Sequence, residues 1–318
     1  MFGRMTATKG GSERRAAGWL VLGLLVTIGC GESGSSSTPP AERTVVATNY
    51  PVGYFAERLI GDDIRVVMPV PDGKDPAGWS PDDASIALMQ KADLIVVNGA
   101  GYEEWREQVS LPEARVVDTT KGDKRLIEDG TTVTHSHGPE GEHSHTHFAT
   151  HTWLDPGLAL AQASKLQMAI VEAMPDLRPS LQERAVALND DLKRLELRMI
   201  EKCERTKGWN VIGSHPVYQY LGARLGWTMH DRHWEPDETP SDEEFAELEQ
   251  ELAARPAKLM LWEDEPTAET RERLEAMGLT IVVYRPCGRA PSEGDWLSEM
   301  EANLDRLIAA IDAAGSAP

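Results

Sequence analysis

The chain has 318 residues, with 52 acidic and 32 basic side chains and a formal net charge of −20 at pH 7. This acidic balance argues against nucleic acid as a partner and favours enrichment of cations near the surface. About 280 residues follow the N-terminal segment described next, enough for one large or two smaller globular units.

The N-terminal segment has the pattern of an export signal. Two arginines precede the apolar run 16–29, which ends at Cys30. A basic start, an apolar core too short to span a bilayer comfortably and a small residue before the cysteine are typical of a secretory signal. The position of Cys30 resembles a bacterial lipobox, although Thr27 stands where Leu is usual. We therefore predict a signal peptide over 1–29 and a lipidated Cys30 with a flexible tether over 30–43; an uncleaved anchor or an ordinary signal peptide is the alternative.

Strands and helices alternate in the first part of the exported chain. Strands are predicted at 45–48, 64–70, 92–98 and 116–118, and helices at 51–60 and 81–91. Regular alternation implies right-handed crossovers and a parallel sheet. We predict that residues 44–156 form a first α/β lobe.

A histidine tract between Thr134 and His151 holds six of the nine histidines of the chain. They are His135, His137, His143, His145, His147 and His151. Histidine is the commonest side-chain ligand for borderline divalent metals, so the tract predicts handling of a transition metal. Gly138, Pro139 and Gly141 favour an irregular loop, which fixes no tetrahedral geometry, so the first five histidines are predicted to bind loosely. A solvated polar loop is the alternative.

Two helical stretches follow, over 157–174 and from 179 to about 206, separated by Pro175. Their apolar residues recur at helical spacing with charges between them. A helix of the second length spans a domain at about 1.5 Å per residue. Residues 157–207 are therefore predicted to connect the lobes rigidly.

A second alternating segment, 208–318, repeats the organisation of the first. Strands are predicted at 210–213, 227–229, 258–262 and 280–284, and helices at 217–225, 239–254 with a cap at Ser241, 267–277 and 295–313. The predicted fold class is α/β, with two lobes that each contain a mainly parallel sheet flanked by helices, joined by one long backbone helix.

Candidate metal ligands stand directly after strands of the second lobe, where ligands bind in open parallel sheets. His215 follows the strand 210–213; its alternative role is a backbone bond at a helix start. Glu263 and Glu265 follow the strand that ends at Trp262, where helix-capping charge is the alternative. His233 and Glu235 follow the strand near 227–229, where an aromatic loop packed on the lobe is the alternative.

Two cysteines remain besides Cys30. Cys203 and Cys287 have no second Cys or His at zinc-site spacing. In an oxidising compartment they are candidates for one disulfide, but sequence does not show whether they meet.

An ordered set of motifs from Thr44 onwards resembles the zinc- or manganese-type solute-binding lipoproteins of bacterial metal-uptake ABC transporters. The segments that carry the resemblance are Val45-Val46-Ala47-Thr48-Asn49-Tyr50-Pro51, Lys91 to Gly99 with Gly101-Tyr102-Glu103-Glu104-Trp105, His151-Thr152-Trp153-Leu154-Asp155-Pro156 and Ser214-His215-Pro216-Val217-Tyr218-Gln219-Tyr220. The resemblance implies two α/β lobes and one long connecting helix. It also implies zinc as the ion, with manganese as the alternative, and a permease with its ATPase as partners of a membrane-anchored, extracytoplasmic binding component.

The family pattern implies four ligand positions, and this sequence matches two of them. His151 and His215 stand at the second and third positions. Ala77 stands where the first histidine is expected, and Arg285 where a late acid is expected. Two protein ligands rarely hold zinc tightly. The residues available to fill the gap are Glu263, Glu265, His233, Glu235 or a histidine of the tract.

Two other function classes remain open. A zinc hydrolase would need an open coordination position beside a general base, but the sequence has no His-Glu-x-x-His pair and no nucleophile elbow. A divergent binding protein that has lost the tight metal site and binds another ligand or partner is the alternative suggested by Ala77 and Arg285. For the metal-binding reading, histidine protonation predicts weaker binding below about pH 6.

Overall fold

A computed structural model describes residues 43–136 and 142–315, with the backbone alone at 130–136 and 142–147. The predicted signal peptide, Cys30 and nearly all of its tether lie outside the described residues, as does His137. None of the described helices combines the length and the apolar character needed to cross a bilayer.

The first lobe contains a four-stranded parallel sheet. Its strands are β1 (Thr44–Ala47), β2 (Arg65–Val67), β3 (Leu94–Val97) and β4 (Val116–Asp118), in the order β2-β1-β3-β4. Helices α1 (Tyr50–Ile60) and α2 (Asp83–Lys91) are its crossovers. Both helices begin at a side-chain cap: Asn49 accepts from the N–H of Val52, and Asp82 from the N–H of Ser85.

The histidine tract forms a β-hairpin, so the irregular loop predicted for it is wrong over the described residues. Strands β5 (Glu128–Ser136) and β6 (Glu142–Phe148) pair antiparallel, with His135 opposite His143. The glycines and the proline that suggested a loop are confined to 137–141, between the strands. The flanking residues include Thr131 to Thr134, a β-branched run that favours extended backbone.

Two helices lead from the first lobe to the second. Helix α3 (Pro156–Ala173) begins at Asp155, whose carboxylate accepts from the N–H of Gly157 at 2.8 Å. A 3₁₀ turn at Pro175–Leu177 separates it from α4 (Arg178–Cys203), which has 26 residues and is therefore about 39 Å long.

The second lobe repeats the parallel sheet. Its strands are β7 (Asn210–Gly213), β8 (Thr228–Asp231), β9 (Leu259–Trp262) and β10 (Thr280–Val283), in the order β10-β9-β7-β8. Its helices are α5 (Gln219–Leu225), α6 (Asp242–Ala254), α7 (Ala268–Ala276) and α8 (Trp296–Ala314). The predicted cap at Ser241 is present as a capping box with Glu244. The predicted fold class is confirmed.

One face of α4 joins the cores of both lobes. Seven of its residues are buried at three- and four-residue spacing: Leu181, Ala185, Leu188, Leu192, Leu195, Met199 and Cys203. They belong to a single apolar core that reaches Val45 of the first sheet and Val211 of the second. Because the two sheets share this core, neither lobe is an independent hydrophobic unit.

Both described cysteines are buried free thiols, so the structure does not form the disulfide left open above. Burial raises the pKa of Cys203 to about 11 and that of Cys287 to about 12. Both side chains are therefore neutral at physiological pH and act as small apolar groups.

We expect Leu188→Ala to lower the free energy of unfolding by about 2–5 kcal/mol, because a fully buried leucine leaves a cavity in the shared core. Denaturant unfolding followed by circular dichroism measures the change, and both lobes should unfold in one transition. Leu197→Ala is the control, since Leu197 lies on the same helix but is 67% exposed, and it should change stability by no more than about 0.5 kcal/mol. Two separate transitions, with only one shifted in Leu188→Ala, would contradict a shared core.

Candidate metal centre

Loops that follow the strands of one sheet contact loops that follow the strands of the other. Tyr50, after β1, donates its N–H to the carbonyl of Gly288 at 2.9 Å. The indole Nε1 of Trp153 donates to the carbonyl of Pro286 at 2.7 Å, and Arg289 donates to the carbonyl of Gly73 at 3.3 Å. The carboxyl ends of the two sheets therefore border a common cleft, which is where ligands bind in open parallel sheets.

His151 lies at the first-lobe side of this cleft. Its ring contacts those of Trp153 and Tyr102, with centroids 4.9 Å and 5.8 Å away. Its Nδ1 is 3.1 Å from the hydroxyl oxygen of Thr150. Burial lowers the pKa of His151 to about 3, and a positive charge on His215 acts in the same direction. The ring is therefore neutral, which is the form that binds a metal.

His215 follows β7 on the other side of the cleft. Its Nδ1 is buried and has no hydrogen-bond partner among the described groups. An unpaired buried nitrogen is unfavourable by itself, so this atom fits an external ligand. Burial, helped by the charge of His233, lowers the pKa of His215, while the charges of Glu235 and Asp75 raise it. The His215 and His233 rings meet edge to face at 5.4 Å.

The pKa values of His151 and His215 are both lowered, which moves the protonation expected to weaken metal binding to lower pH. Burial holds His151 neutral far below pH 6 and moves His215 in the same direction. Protonation of the His151 ring is therefore not expected near pH 6.

Glu263 is the partly buried carboxylate of the cluster, at the end of β9. Burial raises its pKa to about 7, and the negative charges of Asp75 and Glu235 contribute to the shift. Glu265, two residues on, differs: its side chain is 66% exposed and accepts from Arg271 at 2.8 Å. His233 and Glu235 are exposed at the edge of the cluster.

Asp75 is an exposed carboxylate of the first lobe that the sequence did not single out as a ligand candidate. It lies in the loop after β2, and its carboxylate accepts from the N–H of Ala77 at 3.0 Å. Its charge acts on His215, Glu263 and Tyr102, although it belongs to the opposite lobe from the first two. The topology could have indicated Asp75 as a candidate, because it follows a strand of a parallel sheet as His215 does.

Arg285, at the position where the resemblance implied an acid, is bound by carboxylates. Its Nε donates to Asp264 at 3.0 Å, and its Nη1 lies 3.5 Å from Glu299. Its backbone N–H donates to Asn303, which also donates to its carbonyl, each at 2.8 Å. The charge of Arg285 is therefore compensated locally.

The cluster draws on both lobes without converging on one point. Asp75 and His151 come from the first lobe, and His215 and Glu263 from the second. Among the side chains that the structure describes, which exclude those of 130–136 and 142–147, no three His, Cys, Asp or Glu residues are close enough together to hold one ion. The donor atoms are nitrogen and oxygen, which suits zinc and the neighbouring divalent metals once the lobes approach.

Sequence comparison finds a match to one family model over most of the chain. The model of ZnuA, described as zinc-uptake complex component A, periplasmic, matches residues 45–310. The high-affinity zinc uptake system protein ZnuA of Bacillus subtilis is 27% identical over 301 residues, which cover 89% of this chain and 93% of that protein. The zinc-binding lipoprotein AdcA of Streptococcus pneumoniae is 25% identical over 285 residues, which cover 86% of this chain and 56% of AdcA. The chain thus spans little more than half the length of its AdcA relatives.

Solved structures share the fold. Zn(II)-bound AdcA from Streptococcus pneumoniae superposes with a TM-score of 0.73 at 22% identity, covering 87% of this chain and 59% of that one. The metal-dependent lipoprotein YcdH from Bacillus subtilis gives a TM-score of 0.72 at 22% identity, covering 84% and 98%. These similarities support the two-lobed architecture.

We expect the metal-free protein to lose stability as the pH rises from 4.5 to about 7, because folding raises the pKa of Glu263. A raised carboxyl pKa contributes stability below the unfolded value, and that contribution is lost as the pH passes the folded value. Glu263→Gln stays uncharged, so its stability should vary less with pH and should exceed that of the wild type above about pH 7. Urea titrations in chelator across this range measure the effect.

Glu265→Gln is the matched control for this experiment. Its carboxylate is exposed and bound by Arg271, so the variant should keep the wild-type pH dependence. If Glu263→Gln and wild type show the same pH profile, Glu263 is not buried in the cleft.

Proposed function

Because this chain belongs to the ZnuA family of periplasmic zinc-uptake components, we propose that it binds a zinc ion between its lobes and delivers it to a membrane permease driven by an ATPase. The observation that carries the proposal is the pair His151 and His215. These partly buried rings, with lowered pKa values, come from opposite lobes, and the second has an unpartnered Nδ1. The role proposed for this cluster is metal binding.

The proposed ligands are His151, His215, Glu263 and Asp75. Two imidazoles and two carboxylates satisfy the four-coordinate preference of zinc. Asp75 is proposed in place of the histidine that the family pattern implies at Ala77. The proposal is supported by the effect of the Asp75 charge on the pKa values of His215 and Glu263. Glu265 is left out because Arg271 binds it. His233 and Glu235 are proposed as edge groups that attract the ion. Oxygen donors also suit Mn²⁺, which makes manganese the second candidate.

Ion binding is proposed to close the cleft by removing a repulsion. Without an ion, the charges of Asp75 and Glu235 disfavour a charge on Glu263. A divalent cation reverses that interaction and draws the carboxylates together across the lobes. The shared core of α4 limits rigid-body opening, so movement of the loops after the strands is the expected change. The permease would release the ion by disturbing these loops.

The hairpin is proposed as a loose collector of ions. His135 pairs with His143, and alternate residues of a strand share a face, so His143, His145 and His147 lie on the same face of the ribbon as His135. Four histidine positions on one face give neighbouring pairs for weak chelation. His137, outside the described residues, is included in the proposed loose site on sequence alone.

Export and anchoring complete the proposal. The family is described as periplasmic, and AdcA is named a lipoprotein. The lipobox-like sequence at Cys30 would place the lipid anchor at the start of the tether, so that the lobes lie outside the cytoplasm beside the permease.

We expect calorimetry of the tether-free domain to show one tight zinc site, and His215→Ala to weaken it by more than about 100-fold, beyond the loss typical of residues around the ligands. His230→Ala is the matched control. The His230 ring is already bound to Asn210 and Glu251, so its loss should leave the zinc affinity unchanged. Parallel titrations with Mn²⁺ rank the two ions. If the wild type shows no tight site, the chain is a divergent member that binds another ligand or partner.

We expect replacement of His135, His143, His145 and His147 by serine to reduce the number of weakly bound zinc ions and to leave the tight site intact. Calorimetry over a wide range of zinc concentrations separates the two classes. The control replaces Ser136, Ser144 and Thr146, which lie on the opposite face of the same ribbon, with alanine. Loss of the tight site in the histidine variant would show that the hairpin supplies a primary ligand.

A further inference from the structure

A buried amide lies beneath His151 and contacts the residues on both sides of it. The Nδ2 of Asn98 donates to the carbonyl of Thr150 at 3.0 Å. Its Oδ1 accepts from the hydroxyl of Thr152 at 3.0 Å. Asn98 itself is fully buried. From these contacts we infer that Asn98 is the positioning residue that fixes the His151 ring for metal binding, an inference that rests on the proposed function.

Asn98 is held in place by its own neighbours. It follows β3, and its backbone N–H donates to the carboxylate of Glu103 at 2.8 Å. The same carboxylate accepts from the hydroxyl of Thr48 and from the N–H of Gly99, so its loop is tied to the ends of β1 and β3. The position of Asn98 is therefore set by the sheet of the first lobe.

The orientation of the Asn98 amide is also determined. The Nε2 of Gln162, on α3, donates to the Oδ1 of Asn98 at 2.9 Å and to the hydroxyl of Thr119 at 2.9 Å. The Nδ2 of Asn98 faces the carbonyls of Thr150 and Gly99, each at 3.0 Å, and because carbonyls only accept, the nitrogen of the amide must lie on this side. A flipped amide would place two donors together and set its oxygen against those carbonyls.

The contact continues to the ring through Thr150. Its carbonyl accepts from Asn98, while its hydroxyl lies 3.1 Å from the Nδ1 of His151. When Nδ1 carries the proton and donates to this hydroxyl, Nε2 keeps its lone pair for the ion. Metal sites require ligands held to within about 0.5 Å, and this set of hydrogen bonds adds a directional restraint to the packing of the His151 ring against Tyr102 and Trp153.

A purely structural role for Asn98 predicts a different result from a positioning role. Loss of a buried amide lowers stability in either case. A positioning role also lowers zinc affinity under conditions where the metal-free variant is fully folded, and it alters the geometry of the ligand field. The second lobe offers the matched control: Asn303 is equally buried and makes two backbone bonds of 2.8 Å, to Arg285 instead of to a neighbour of a proposed ligand.

The test compares Asn98→Ala, Thr152→Val and Asn303→Ala with the wild type. Zinc affinity is measured by chelator competition well below the unfolding temperature of each metal-free variant, and the visible absorption of bound Co²⁺ reports the ligand geometry. We expect Asn98→Ala to lose about 10- to 100-fold in zinc affinity with a changed Co²⁺ spectrum. Thr152→Val, which keeps the shape of the side chain, should lose less, and Asn303→Ala should keep both the affinity and the spectrum.

Zinc affinity in the folded variants decides whether Asn98 positions His151. If folded Asn98→Ala binds zinc within about twofold of the wild type, or if Asn303→Ala loses as much affinity, the positioning role is wrong. If Asn98→Ala does not fold, Thr152→Val decides, and an unchanged affinity in that variant overturns the inference. Failure of the proposed function is distinguishable, because the wild type itself would then lack a tight site that His151→Ala removes.

Discussion

The apolar face that α4 gives to both lobes is the constraint on which the rest of the structure depends. Both sheets pack on one core, so the carboxyl ends of their strands lie on either side of one cleft. Polar contacts reinforce this arrangement at the junction of the lobes. Asp155 caps α3, and its carboxylate also accepts hydrogen bonds from the Nε and Nη2 of Arg224, at 2.7 and 2.8 Å. A site assembled from two lobes needs this shared support, because each lobe supplies only part of it.

Placing ionisable groups in such a cleft is unfavourable in the absence of a cation. Burial keeps His151 neutral and raises the pKa of Glu263 towards 7. Both shifts mean that the charged forms lack solvation, and in a cluster from opposing lobes this points to a ligand that provides charge. The shared core allows the molecule to tolerate these groups. Burial of the apolar face of α4 stabilises the fold and offsets the unfavourable burial of ionisable side chains in the cleft.

Local rules predicted much of this molecule, and tertiary contacts decided the remainder. The capping box at Ser241 and the parallel strands could be read from spacing and caps, because both depend on neighbouring residues. The position of His215 after β7 followed from the same topology. The different environments of Glu263 and Glu265 could not be predicted, because only the folded chain shows that Arg271, on the following helix α7, binds Glu265. The hairpin was not predicted, because Gly138 and Pro139 indicated a loop. The β-branched run Thr131 to Thr134, which favours a strand, was not taken into account.

The use of Asp75 as a ligand in place of a histidine would have a physical consequence for how the proposed site works. Ala77 packs against the main core, and its N–H donates to the exposed carboxylate of Asp75, which is the ligand proposed in this loop. As a shorter ligand than histidine, Asp75 would require the loops of the two lobes to approach more closely before it reaches the ion. Part of the binding free energy would then be used to close the cleft, and the observed affinity would equal the affinity of the closed state multiplied by the fraction of molecules that are closed. In the proposed function, the same coupling would assist delivery, because a permease that reopened the loops by a small distance would remove a carboxylate and weaken the remaining shell.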